Sequence, residues 1–228
     1  MMMIMARYAI GDIHGGSRTF RALLDRFNLR PGDGLYLLGD YIDRGPDSKG
    51  VLDSILHLMD RGYAVHPVLG NHEDMLLQAV AGTDDYWMLG WGRETLKSFG
   101  VQSPGEIPSR YLTLLDQMPY LCTDEHFVFV HAGLDMATDD PLTESSPVTM
   151  VWGGAPPFGR DRLQGRTLVT GHKIYPLPLI EVSLLTNHFQ LDNGAFTTMQ
   201  PDYGNLVALN LETRELIIQP WCDDVAVY

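Results

Sequence analysis

The chain has 228 residues, 45% hydrophobic and 20% charged, with a formal net charge of −13 and two cysteines. That length and apolar content suit one large domain with a full core. The acidity argues against nucleic-acid partners and anionic membrane surfaces, which call for basic patches, and no run approaches the roughly 20 apolar residues of a membrane span.

Cys122 and Cys222 lack C-x-x-C spacing and read as two reduced thiols. The opening Met1–Met5 stretch has no basic region and meets Gly11-Asp12 too soon for a signal peptide, so a cytoplasmic location is expected. Arg7–Ile10 reads as the first strand, running into Gly11-Asp12-Ile13-His14-Gly15. Phe20, Leu23, Leu24 and Phe27 recur at helical spacing, with Ser17 as the expected N-cap. The continuous apolar run Leu35–Leu38 predicts a buried strand that ends in Gly39-Asp40-Tyr41-Ile42-Asp43-Arg44-Gly45. Val51, Leu52, Ile55, Leu56 and Met59 mark a second helix. Val65–Leu69 predicts a third strand, followed by Gly70-Asn71-His72-Glu73 and a helix through Met75, Leu76, Ala79 and Val80. Strand and helix alternate, which predicts a parallel βαβαβ unit.

Residues 81–120 break this pattern. Tyr86, Trp87, Met88, Leu89 and Trp91 are apolar but not strand-like, and a helix is expected over Pro108–Gln117. The stretch reads as a mostly helical insertion within a single domain, 1–228. From Phe127 onward, short strands are expected at Phe127–Val130, Leu168–Thr170, Ile180–Leu184, Phe189–Asp192, Leu206–Asn210 and Leu216–Gln219. They suggest a second, mixed or antiparallel sheet packed on the first. The fold class is α/β, a β-sandwich with helices outside.

Three further clusters punctuate the second half: His131-Ala132-Gly133, Trp152-Gly153-Gly154 and Gly171-His172. Groups at the carboxyl ends of strands in an open α/β sheet converge on one crevice. Asp12, His14, Asp40, Asn71, His131 and His172 are oxygen and imidazole donors suited to two divalent metal ions, with Asp40 shared between them. No thiolate belongs to the set, which favours Mn, Fe or Zn in a catalytic role. Two such ions about 3.5–4 Å apart would clamp an in-line displacement at phosphorus. His72 is expected as the acid that protonates a leaving alkoxide, oriented by Asp43. Arg44 is expected to hold phosphate oxygens with its planar fork. Dinucleotide-binding and P-loop glycine patterns are missing from the sequence.

These blocks resemble the phosphoprotein phosphatase family of dinuclear metallophosphoesterases, whose signatures have the form GDxHG, GDxxDRG and GNHE. The resemblance extends to His131, His172 and the block Leu191-Asp192-Asn193-Gly194-Ala195. It implies a calcineurin-like four-layer α/β/β/α fold with two mixed sheets, a Mn- or Fe-type metal pair and phosphomonoester hydrolysis by a metal-bridging hydroxide. It implies metal ligation by Asp12, His14, Asp40, Asn71, His131 and His172, with Asn71 also against the phosphate. A serine/threonine protein phosphatase acting on a phosphorylated protein or small phosphoester is the expected activity. The alternative is a symmetrical diadenosine tetraphosphate hydrolase, in which Tyr86, Trp87 and Trp91 could stack a base. Relatives place a second phosphate-binding arginine just after the Trp of the fifth block, whereas Trp152 is followed by Gly153-Gly154. The second arginine is expected at Arg160 or Arg162, or at Arg93 reaching in from the insertion, unless the site manages with Arg44 alone.

Overall fold

A computed structural model describes residues 5–27, 29–30, 32–83, 86–153, 160–197 and 200–224. Strands β1 (Arg7–Ile10), β2 (Gly34–Leu37) and β3 (Ala64–Pro67) run parallel in the order β3-β2-β1. Ile10 stands opposite Leu37, and Leu37 opposite Pro67. Parallel neighbours need a crossover, and helices α1 (Ser17–Leu24) and α2 (Ser48–Asp60) provide both. Helix α3 (Asn71–Val80) leaves the third strand. Three helices follow: α4 (Tyr86–Gly90), α5 (Gly92–Phe99) and α6 (Ser109–Asp116).

The second sheet orders β4 (Leu121–Thr123), β5 (Phe127–Val130), β6 (Thr167–Thr170) and β7 (His188–Gln190) as β4-β5-β6-β7. It is mixed, because β4 is antiparallel to β5 while β5, β6 and β7 are parallel. Helices α7 (Pro141–Glu144) and α8 (Pro147–Trp152) lie between β5 and β6, and α9 (Leu177–Ser183) lies between β6 and β7. Strands β8 (Asn205–Asn210) and β9 (Leu216–Pro220) return to the first sheet, where β8 pairs antiparallel with β1.

Side chains of period two divide the core into layers. Ile10, Leu35 and Leu37 face α1 and α2 with Phe20, Leu23, Val51 and Ile55. Their alternates Ala9, Tyr36 and Leu38 face the other sheet, against Phe127, Phe129, Val169 and Phe189. Tyr36 stacks on Phe129 with ring centroids 3.9 Å apart. The outer face of the second sheet, with Val128, Val130 and Leu168, packs on Met150 and Leu163. This is the four-layer α/β/β/α architecture. No described helix is long and apolar enough to cross a membrane.

Three local expectations differ from the structure. Ile180–Leu184 is not a strand; most of it lies in α9. Pro176 and Pro178 set the first turn of that helix, and its apolar residues split by spacings of three and four, with Ile180 and Leu184 buried and Leu179, Val182 and Leu185 outside. β8 and β9 belong to the first sheet rather than the second. Ser17 does not cap α1; its hydroxyl donates to Asp47, which itself caps α2 by accepting from the Gly50 N–H.

Candidate active site

The strand ends deliver the polar blocks to one place. His14, Asp40, Arg44, Asn71, His72 and His172 line a common cavity of about 160 Å³, together with Met75, Trp91, Trp152, Ile174, Asp192 and Phe196. The turns that build it are tight. His14, Asp40, Asp43, Arg44 and His172 all have positive φ, five of the eight such non-glycine residues among those described. Each left-handed residue costs about 1–2 kcal/mol, so strain is concentrated where the loops meet. Gly39, at φ +93°, leaves no room for a Cβ, which would sit 2.8 Å from both the Gly70 backbone and His131 Nδ1. The second and third blocks and His131 therefore approach to van der Waals contact across this glycine.

Hydrogen bonds hold the loops together. The Ile13 and His14 N–H groups donate to the Asp40 carbonyl at 3.0 and 2.8 Å, and Gly15 N–H donates to the Tyr41 carbonyl at 2.8 Å. Glu73, fully buried, accepts from the N–H groups of Asp40, Tyr41, Ile42 and Gly70 at 2.7–3.2 Å. Burial, then the Asp40 charge, push its carboxyl up to about 7. The sequence suggests only a favourable first-turn charge for Glu73, whereas it braces the Asp40 loop. Its place in the third block was the available signal.

Around Asp40 the donors converge. His131 Nε2 lies 3.3 Å from Asp40 Oδ1, 2.9 Å from Asn71 Oδ1 and 3.2 Å from His172 Nδ1. His172 Nδ1 is 3.1 Å from Asn71 Oδ1. His14 Nε2 stands 3.5 Å from Asp40 Oδ2 and 4.0 Å from Asp12 Oδ2. The Asp12 carboxylate also accepts the His172 N–H. Two donor sets share Asp40: His14, Asp40 and His72 on one side, and Asp40, His131 and His172 on the other.

The outer ring nitrogens tell how these rings are turned. A carbonyl can only accept, so His131 Nδ1 donates to the Leu38 carbonyl at 2.7 Å, and His14 Nδ1 to the Ile42 carbonyl at 3.2 Å. Both Nε2 atoms thus aim into the cluster, the arrangement that fixes imidazole ligands. Burial opposes the charge on Asp40, but His131, His72 and His14 hold its carboxyl well below the usual range. Burial works against a proton on His131 as well, yet Asp40 and Asp12 push it up to about 10. Burial, then repulsion from Asp192, raise Asp12. A proton held on a nitrogen that faces the Asp40 carboxylate occupies the position a cation would take. The donor chemistry, the shared carboxylate and the burial fit a pair of divalent cations.

Beside this cluster His72 Nδ1 donates to Asp43 Oδ2 at 2.7 Å, leaving Nε2 directed toward Asp40, 3.9 Å from Oδ2. Burial opposes a proton on His72, but Asp40 and Asp43 raise it. Arg44 spreads its guanidinium over the Trp91 ring at 3.8 Å, with the Phe196 ring at 5.0 Å.

The second-arginine expectation fares differently. Arg160 begins a 3-10 turn (Arg160–Leu163), but its side chain, and 154–159 before it, lie outside the described residues. Arg162 is turned onto the carbonyls of Met136 and Thr138. Arg93 lines a separate surface hollow with Met88 and Lys97. Of the three aromatic residues considered for base stacking, Trp87 is fully buried and only Trp91 reaches the cavity. Phe196, which also lines it, carried no site expectation, and Asp192 entered only through the Leu191–Ala195 block.

The calcineurin-like phosphoesterase family matches residues 5–180, and the chain belongs to that family. A symmetrical bis(5'-nucleosyl)-tetraphosphatase from Nitrosospira multiformis is 39% identical over 134 residues, covering 57% of this chain and 44% of that protein. The chain spans about half the length of the curated relatives it matches. Among solved structures, a candidate diadenosine tetraphosphatase superposes with a TM-score of 0.66 at 22% identity, covering 98% of this chain and 96% of that one. A serine/threonine phosphatase from Saccharomyces cerevisiae gives a TM-score of 0.66 at 12% identity, covering 98% and 82%. Such low identities speak for the fold. The buried donor sets around Asp40 are the candidate metal ligands of this family member.

Proposed function

We propose that the chain hydrolyses dinucleoside polyphosphates, splitting diadenosine tetraphosphate with water into two ADP. The observation that carries this reading is the 39% identity with the Nitrosospira tetraphosphatase. The serine/threonine phosphatase reading has fold likeness in its favour, at 12% identity. Arg44 and members of the donor cluster line the same cavity, which suits a chain of phosphates.

Two divalent cations, manganese being the first to try, held by Asp12, His14, Asp40, Asn71, His131 and His172, would neutralise phosphate charge and acidify water. Arg44, steadied by Trp91, binds the outer oxygens of the phosphoryl group under attack, and Asn71 lies beside it. His72 donates a proton or hydrogen bond to the departing oxygen through Nε2, while Asp43 keeps Nδ1 protonated. A phosphate leaving group has a second pKa near 6, so this donation matters less for a tetraphosphate than for an alkyl ester.

The test is a paired assay on chelator-stripped, manganese-reloaded protein, comparing kcat/KM for diadenosine tetraphosphate with that for a phosphoserine peptide. ADP as the sole nucleotide product and a preference for the dinucleotide are expected. A peptide preference, or no ADP, overturns the proposal in favour of a protein phosphatase.

A further inference from the structure

Asp43 is expected from its motif to orient His72, but a lone carboxylate has two oxygens and a free torsion. In this fold neither is left loose. Asp43 Oδ2 accepts from Trp87 Nε1 at 2.8 Å as well as from His72, and Oδ1 accepts from the Thr95 hydroxyl at 2.5 Å. The Asp43 N–H faces Ser48 Oγ and Thr95 Oγ1, both at 3.0 Å, and these two hydroxyls lie 2.8 Å apart. Asp43, Trp87, Ser48 and Thr95 are all buried to the last per cent. Trp87 comes from α4 and Thr95 from α5, the helices of the segment that interrupts the strand pattern. Between them Gly92 lets the helix press on the Trp87 ring, where a Cβ would sit 2.6 Å from the indole. Trp91, at the head of α5, lies face-on to Arg44 at 3.8 Å and edge-on to His72 at 5.7 Å between centroids.

A donor placed on each oxygen fixes the plane of the carboxylate, and the plane fixes where His72 points its far nitrogen. Asp43 itself sits at φ +68°, a conformation that the hydroxyl pair on its N–H helps to hold. We infer that Trp87 and Thr95 are positioning residues for proton donation by His72, so that the α4–α5 pair is a working part of the active site rather than packing alone. The inference rests on the reading of His72 as the proton donor. It predicts a selective defect. Reactions that need protonation of the leaving oxygen suffer, whereas substrate binding and metal retention do not.

The experiment compares W87F, T95V, T95S and H72N in the manganese-loaded protein, using alkyl and aryl phosphate monoesters, with metal content and thermal midpoint measured alongside. T95V keeps the side-chain shape but removes the donor, and T95S restores it. W87F and T95V are each expected to lower kcat on the alkyl ester by about 10-fold or more, the usual size of an outer-partner effect. KM, metal content and turnover of the aryl ester should stay within about twofold of the parent, and T95S should recover most of the alkyl activity. Equal losses on both esters, or T95S no better than T95V, overturn the positioning role. If H72N loses alkyl and aryl turnover equally, the proton-donor reading fails first and takes the inference with it. If H72N is selective and the Trp87 and Thr95 variants are not, the inference alone fails.

Discussion

The two sheets contribute unequally to one site. Loops after β1, β2 and β3 supply both carboxylates of the donor cluster, the His72–Asp43 pair and Arg44, and they are tied to one another through the Asp40 carbonyl and Glu73. Loops after β5 and β6 supply His131 and His172, and the first sheet aims both. The Leu38 carbonyl accepts a hydrogen bond from His131 Nδ1, and the Asp12 carboxylate accepts from the His172 backbone N–H. The first sheet therefore carries a nearly self-sufficient charged half-site. The second brings imidazoles whose alignment depends on how the sheets pack.

Removing the shared carboxylate is expected to do the most damage. D40N should lose both metal ions and turnover together, a loss well beyond the roughly 100-fold that even an outer partner costs. H131A should lose one ion and retain the other. Metal stoichiometry and kcat measured on the two variants check this, and an H131A as empty as D40N would erase the asymmetry.

Next comes H72N, which lies wholly in the first-sheet half. Proton donation of this kind is worth about 10²–10⁴ in rate, and that loss is expected on a phosphoserine peptide. On diadenosine tetraphosphate the loss should be much smaller, because the departing phosphate needs little help. Single-turnover rates on both substrates decide the matter.

Packing between the sheets can be attacked directly. F129A empties the ring that stacks on Tyr36 and should cost about 3–5 kcal/mol, seen as a lower urea midpoint. Metal release should rise for the His131–His172 side before the His14 side. Uniform release would mean that the sheets act as one block.

The smallest effect concerns acid. His188 on β7 shares a short contact, 2.8 Å, with Thr170 Oγ1, two residues before His172. Burial pushes its pKa down to about 4, against about 6.5 in the unfolded chain. The unfolded state therefore binds this proton first, and the stability it represents, roughly 1–3 kcal/mol, is present above pH 6.5 and drains as pH falls toward 4. The thermal midpoint of the parent should exceed that of H188Q at pH 7, with the gap closing by pH 4.5. A constant gap would remove His188 as a source of acid sensitivity.

Much of this architecture could be read directly from the chain. Continuous apolar runs marked β1, β2, β5 and β6, because strands buried on both faces have no polar alternation to hide them. The donor blocks stood out because each follows such a run. Ile180–Leu184 misled for the same reason: a short apolar stretch has no period of its own, and the prolines before it favoured a helix. Glu73 and Thr95 were invisible as parts of the site, and Trp87 was read only as a base-stacking candidate. Glu73 serves backbone N–H groups about 30 positions earlier, and Asp43 lies 44 and 52 positions before its indole and hydroxyl donors.

Local order of apolar and polar groups was enough to determine most of the strands, the crossovers of the βαβαβ unit and the residues with metal-binding chemistry. Such patterns act over a few residues, through pleat and helix period. Which face of β2 meets Phe129, which carbonyl turns His131 and which helix donors clamp Asp43 were decided only by tertiary structure. Those contacts join residues far apart in sequence, and a hydrogen bond's partner is set by where two segments meet in space, not by the residues beside it in the chain.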